Sequence, residues 1–122
     1  EPRCANQAFN IVNGDTPRWC DLWPRFAAAL GVETGVPAAI NLARYMADKG
    51  PLWQAAVARH GLRSSSLDRI ALWEYGNYVF RPEWDIMSSM NKARGCGFDE
   101  RVDTMEMFAR VLAGYREQRI TP

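Results

Sequence analysis

The chain has 122 residues, 48% of them hydrophobic, and its 15 basic and 14 acidic side chains leave a net charge of +1. That length predicts a single domain over residues 1–122 with enough apolar material for a core. The near balance of charge excludes the concentrated basic surface of a nucleic-acid binder and a polybasic membrane-surface segment. No run reaches the length of a transmembrane helix and no signal peptide is evident, so no membrane association and a cytoplasmic location are expected.

Three cysteines, Cys4, Cys20 and Cys96, lie far apart without C-x-x-C spacing. This predicts free thiols and no zinc site. The opening residue is Glu1, not Met, which suggests a cleaved or excerpted piece of a longer polypeptide.

Glu1 to Gln7 is polar and reads as a tail. Ala8, Phe9, Ile11 and Val12 follow, apolar on both faces, as in a strand buried between helical layers. Asn13-Gly14-Asp15 is a turn signal, because Asn and Gly tolerate positive φ and Asp bonds nearby backbone N–H groups. A lone strand leaves its backbone groups without partners, so this one is expected to complete a sheet that the chain mostly does not contain.

Trp19, Leu22, Trp23, Phe26 and Leu30 share one helical face. Pro24 favours a helix that starts late, with Asp21 as N-cap, Thr16 to Cys20 as a turn, and Gly31 as the stop. A second helix is expected from Pro37 through Ile40, Ala43, Tyr45 and Met46 to near Gly50. Gly50-Pro51 opens a third, with Trp53, Ala56, Val57 and His60 at helical spacing before Gly61. Ser65 with Asp68 resembles a capping box for a helix holding Leu67, Ile70, Ala71, Trp73, Glu74 and Tyr75. Asn77 to Pro82 breaks that period, and Trp84 to Met87 fits a brief strand. Ser88 to Arg94 reads as a short helix ended by Gly95 or Gly97. Asp103 with Glu106 caps the last helix, whose apolar face holds Phe108, Val111, Leu112 and Tyr115. The predicted class is mainly α with one or two short β-strands.

Little of this pattern carries chemistry. His60 is the only histidine and sits where a helix C-terminus favours a cation, so a capping or surface role is preferred over general base. Gly95-Cys96-Gly97 follows a helix and does not open one, unlike a phosphate loop. Cys20, near a helix start, is open to a lowered thiol pKa, although burial as a small apolar residue is the preferred reading. Tyr45 and Lys49 form a Y-x-x-x-K spacing, read as chance because Lys49 ends a helix and no upstream Ser or Thr accompanies it. The aromatic set Trp19, Trp23, Trp53, Trp73, Tyr75 and Trp84 exceeds what a small core needs and suits either an apolar cavity or a face that docks on another domain.

The series A-F-N-I-V-N-G-D followed by R-W-x-D-L-W-P resembles the C-terminal region of extended short-chain dehydrogenases/reductases. Within these it is most similar to the progesterone 5β-reductase and iridoid synthase family. Met46 to Trp53, Trp73-Glu74-Tyr75, Ser89 to Arg94 with Gly97-Phe98, and the closing Arg119 to Pro122 extend the match nearly end to end. The K-A-R-x-x-G-F pattern is shared with sugar-nucleotide epimerases. Glu74 stands where the plant proteins carry an aromatic, and the glycine loop at 95–97 is shorter.

The resemblance implies a substrate-binding lobe of an α/β Rossmann-type enzyme whose N-terminal dinucleotide domain, with NADP(H) and the catalytic Tyr and Lys, lies upstream. It implies reduction of the activated C=C bond of a small apolar enone, with hydride supplied by the nicotinamide. The chain alone is expected to bind no cofactor and to perform no chemistry. Tyr75 aligns with a pocket aromatic, Trp73 precedes it, and Asn13 and Asp15 follow the strand end where such sheets bind ligands. These four are the candidate substrate-binding residues. The alternatives are an epimerase or dehydratase lobe and a non-catalytic helical binding module. The isolated chain is expected to be marginally stable or to self-associate through the face that its missing domain would cover.

Overall fold

The computed structural model describes residues 4–63 and 66–122. Among these residues there are seven helices and no strand: α1 Trp19–Leu30, α2 Leu42–Met46, α3 Gly50–His60, α4 Leu67–Ile70, α5 Trp73–Phe80, α6 Asn91–Gly95 and α7 Thr104–Glu117. They divide into two units. One comprises Glu1–Thr34 with Asp85–Arg110, the other Gly35–Trp84 with Val111–Pro122. Helix α7 therefore starts in the first unit and ends in the second.

The first unit is built on α1, α6 and the start of α7. Leu22 of α1, Met90 and Ala93 around α6, and Met105 of α7 are its buried apolar residues. Phe26 meets Phe108 edge-on at 4.9 Å between ring centroids. Trp19, Trp23 and Phe26 continue this edge-to-face series along α1. Burial of Leu22 alone contributes about 1.5–3 kcal/mol.

The expected strand at Ala8–Val12 is not formed, and neither is the one at Trp84–Met87. The described residues offer no neighbouring strand, so no ladder can satisfy the backbone. Side chains pin the 8–15 segment instead. The Lys92 ammonium donates to the Ala8 carbonyl at 2.9 Å and lies 4.8 Å from the centre of the Phe9 ring. The Asn10 amide reaches the Ser89 carbonyl at 3.5 Å, and the Val102 N–H donates to the Asn13 carbonyl at 2.8 Å. Ile11 and Val12 remain exposed.

Helix α1 begins at Trp19 with Arg18 as N-cap residue, earlier than the Asp21 start that Pro24 suggested. Pro24 lies inside the helix, where a proline costs about 3 kcal/mol through the lost backbone bond and the clash of its ring with the preceding turn. Asp21 then stands in the first turn, where its charge complements the dipole. Gly31 closes the helix in the left-handed region at φ 69°.

In the second unit the expected long helix from Pro37 shrinks to α2. Its N-cap is Asn41, whose side chain accepts from the Arg44 N–H at 2.9 Å. Helix α3 runs as expected, with Pro51 in its first turn and Gly61 in the left-handed region after His60. Leu62 is buried behind it, and the Arg63 N–H donates to the Arg119 carbonyl at 2.7 Å. Ser65 lies outside the described residues; α4 has Ser66 as its N-cap residue, without a side-chain cap bond. The single helix expected over Leu67–Tyr75 is split by an extended residue, Ala71 (φ −144°, ψ 142°). Helix α5 then continues through Asn77 to Phe80, beyond its expected break.

Candidate functional site

Helix α5 is two-faced. Residues three apart share a face, whereas residues two apart are separated by roughly 200° around the helix. Leu72, at the N-cap position, with Tyr75 and Tyr78, forms an outward stripe that is 76%, 64% and 73% exposed. The two tyrosine rings lie 6.1 Å apart at 31°. The opposite face packs on α2. There a β-carbon at Gly76 would meet Leu42 Cδ1 at 2.9 Å, so the two helices approach closely. Asn77 fixes this contact. Its Oδ1 accepts from the Leu42 N–H at 2.6 Å, and its amide nitrogen donates to Asn41 Oδ1 and Glu74 Oε2, each at 3.2 Å.

Trp73 and Tyr75, paired in the sequence reading, therefore do not share a face. Trp73 is half-buried, with its indole N–H enclosed and without an acceptor. It lines a cleft of about 450 Å³ with Ala43, Met46, Ala47, Ala71 and Leu72, and with Asp68 and Glu74 also on the wall.

Asn13 and Asp15 belong to the first unit, and their polar atoms are engaged at the start of α7. The Asn13 amide donates to Thr104 Oγ1 at 2.9 Å. The Asp15 carboxylate accepts from the Thr104 N–H at 2.8 Å and from its hydroxyl at 2.6 Å. Both bonds hold the Asp15 carboxyl below its ordinary pKa, the hydroxyl bond contributing most. Gly14 between them adopts φ 94°, a conformation that turns the chain so that both neighbours face Thr104. Asp103 adds the expected cap by accepting from the Glu106 N–H at 2.8 Å.

The remaining candidates are placed as follows. The Lys49 ammonium pairs with Asp48 and sits 5.1 Å from the Tyr45 ring centre, beside a second cleft of about 480 Å³. Asp48 raises the Lys49 pKa, first through the hydrogen bond, which keeps the amine protonated and unsuited to act as a base. His60 is exposed in the last turn of α3. None of Cys4, Cys20 and Cys96 forms a disulfide, and Cys20 is exposed, not buried as the sequence suggested. Gly95 ends α6, and Gly97, with φ 88°, follows it. Among the described residues no cluster of three or more His, Cys, Asp or Glu converges on a metal position, and no helix is long and apolar enough to cross a membrane.

With an aromatic wall on one unit and a pinned turn on the other, the chain can be set beside known proteins. No family model matches it. Over most of its length it is homologous to short-chain dehydrogenases. Within that class it matches the iridoid synthases, the (S)-8-oxocitronellyl enol synthases. It is 37% identical to the (S)-8-oxocitronellyl enol synthase ISY2 of Nepeta racemosa over 80% of this chain and 25% of that protein. It is 30% identical to CYC2 of Camptotheca acuminata over 100% of this chain and 32% of that protein. It is 29% identical to the short chain dehydrogenase gsfE of Penicillium aethiopicum over 98% of this chain and 36% of that protein. The chain thus spans about a third of the length of the curated relatives it matches.

Proposed function

We propose that this chain is the substrate-binding C-terminal portion of an NADP(H)-dependent short-chain dehydrogenase/reductase that reduces the activated C=C bond of a small apolar enone. The observation that carries the reading is the outward Leu72, Tyr75 and Tyr78 stripe of α5, in a chain homologous to enol synthases. This face offers aromatic and aliphatic surface, with exposed Arg81 three residues beyond Tyr78, and its apolar part suits a conjugated carbonyl compound. In this role the chain binds and orients the substrate and shields it from water. Asn13 and Asp15 serve by holding the turn against α7, and Trp73, in the first turn of α5, by lining the cleft with Ala43, Met46 and Ala47.

The glycine pair at Gly95 and Gly97 closes a helix and does not open one, unlike a dinucleotide phosphate loop. The cofactor is therefore assigned to a Rossmann domain elsewhere in the parent polypeptide, and the chain by itself to no catalysis. Surface area supports a missing partner. The chain exposes 10,027 Å², whereas two separate units of half its mass would expose roughly 8,000 Å². The excess fits a chain that docks on further polypeptide, or that self-associates without it.

The test is a titration of the ring-labelled chain followed by NMR. Cyclohex-2-enone should perturb the Tyr75 and Tyr78 rings, UDP-glucose should not, and Tyr75→Ala should weaken but not eliminate the effect at Tyr78. Perturbation by UDP-glucose alone would move the assignment to the epimerase branch. No perturbation by either would favour a helical binding module.

A further inference from the structure

We infer that Asn77 is the residue that positions Tyr75 and Tyr78 for their ligand, an inference that rests on the reading of the α5 face given above. Helix α5 is eight residues long and has no side-chain cap at its N-terminus. A helix this short does not hold itself in water, so its setting depends on tertiary ties. Asn77 supplies two of them, to Asn41 and Leu42, and a third bond within α5 itself. Its carbonyl oxygen takes the Leu42 N–H, and its amide nitrogen serves Asn41 and Glu74. Asn41 in turn caps α2 through the Arg44 N–H. The bonds thus run from Glu74, one residue before Tyr75, through Asn77 to the first turn of α2. Gly76, without a β-carbon, leaves room for the Leu42 side chain beside these bonds. The ligand-facing rings sit on the opposite side of the same two turns, so any tilt that Asn77 allows displaces them.

Two variants and one control test this. Asn77→Ala removes the ties. Gly76→Ala keeps them, and its methyl group needs only the flexible tip of the Leu42 side chain to turn aside. Each is examined alone and on a Tyr75→Ala background, below its unfolding temperature and with helix content verified by circular dichroism. The first readout is the position of the Tyr75 and Tyr78 ring resonances in the ligand-free chain. The second is the affinity for cyclohex-2-enone. Asn77→Ala is expected to shift the ring resonances and weaken enone binding by at least about threefold, with no further loss once Tyr75 is alanine, since coupled residues are non-additive, whereas Gly76→Ala is expected to leave both readouts nearly unchanged. A purely structural role would lower the melting temperature without this non-additivity. Unshifted rings in folded Asn77→Ala would overturn the inference, whatever the enone does. Shifted rings with unchanged enone affinity would also overturn it. Failure of the parent chain to bind enone at all would count against the proposed function instead, and the ring resonances would still decide whether Asn77 sets the tyrosines.

Discussion

Asp15 provides a quantitative test of how the 8–15 segment is held. Its carboxylate caps α7 from a distance of 89 residues in sequence, taking both the backbone N–H and the hydroxyl of Thr104. Replacing a capping carboxylate by alanine costs about 1 kcal/mol, and removing its charge from the first turn adds about 0.3–1 kcal/mol. Asp15 is exposed, so solvent screening places the charge contribution at the lower end. Asp15→Ala is therefore expected to destabilise the chain by about 1–1.5 kcal/mol, and Asp15→Asn, which keeps an acceptor, by about 0.5 kcal/mol. Urea unfolding followed by circular dichroism measures both.

The pH dependence gives the sign. Because the folded carboxyl titrates below its ordinary value, its contribution is complete above the unfolded pKa of about 3.9 and is lost as pH falls through the lower folded value. The stability gap between the parent chain and Asp15→Asn should stay constant from about pH 5 to 8 and close below about pH 4. A gap that widens on acidification, or the absence of any gap at neutral pH, would refute the capping role.

Other substitutions probe the two units. Phe108→Ala removes the edge-on partner of Phe26 and should cost about 2–3 kcal/mol in the same urea assay, since the ring is only half-buried. Gly14→Ala faces ordinary contact distances to Arg101 and Arg94, so its cost of about 1 kcal/mol should come from the positive φ alone; Gly14→Asn, which tolerates that region better, should recover part of it. The Arg18–Asp85 pair is exposed on both sides, and replacing either residue by alanine should leave the melting temperature unchanged within error at 0.15 M salt, roughly the physiological ionic strength.

The sequence made some elements readable because local and tertiary signals agreed there. Asp103 caps and Phe108 packs as the pattern of α7 implied, and Pro51 and Gly61 bound α3 for the expected backbone reasons. Misreadings occurred where tertiary ties overrode local rules. Pro24 argued for a late α1, yet the helix starts at Trp19 and carries Pro24 inside it. Asn77 looked like a helix breaker, yet its polar side chain is what secures α5 to α2. Asn41 is a favoured cap that was legible but passed over in favour of Pro37. The 8–12 segment has a strand's composition without a strand's partner, and composition does not report partners.

The candidate site was partly legible in the same sense. Helical geometry alone separates Trp73 from Tyr75 and joins Tyr75 to Tyr78. The engagement of Asn13 and Asp15 with Thr104 depends on a contact far along the chain, which spacing does not reveal.

The most direct measurement of the central proposal follows NADPH absorbance in the polypeptide extended upstream along its native reading frame, with and without cyclohex-2-enone. The account predicts enone-dependent oxidation that Tyr75→Ala sharply reduces while leaving NADPH binding intact. NADPH binding without enone turnover, or no cofactor binding at all, would contradict it.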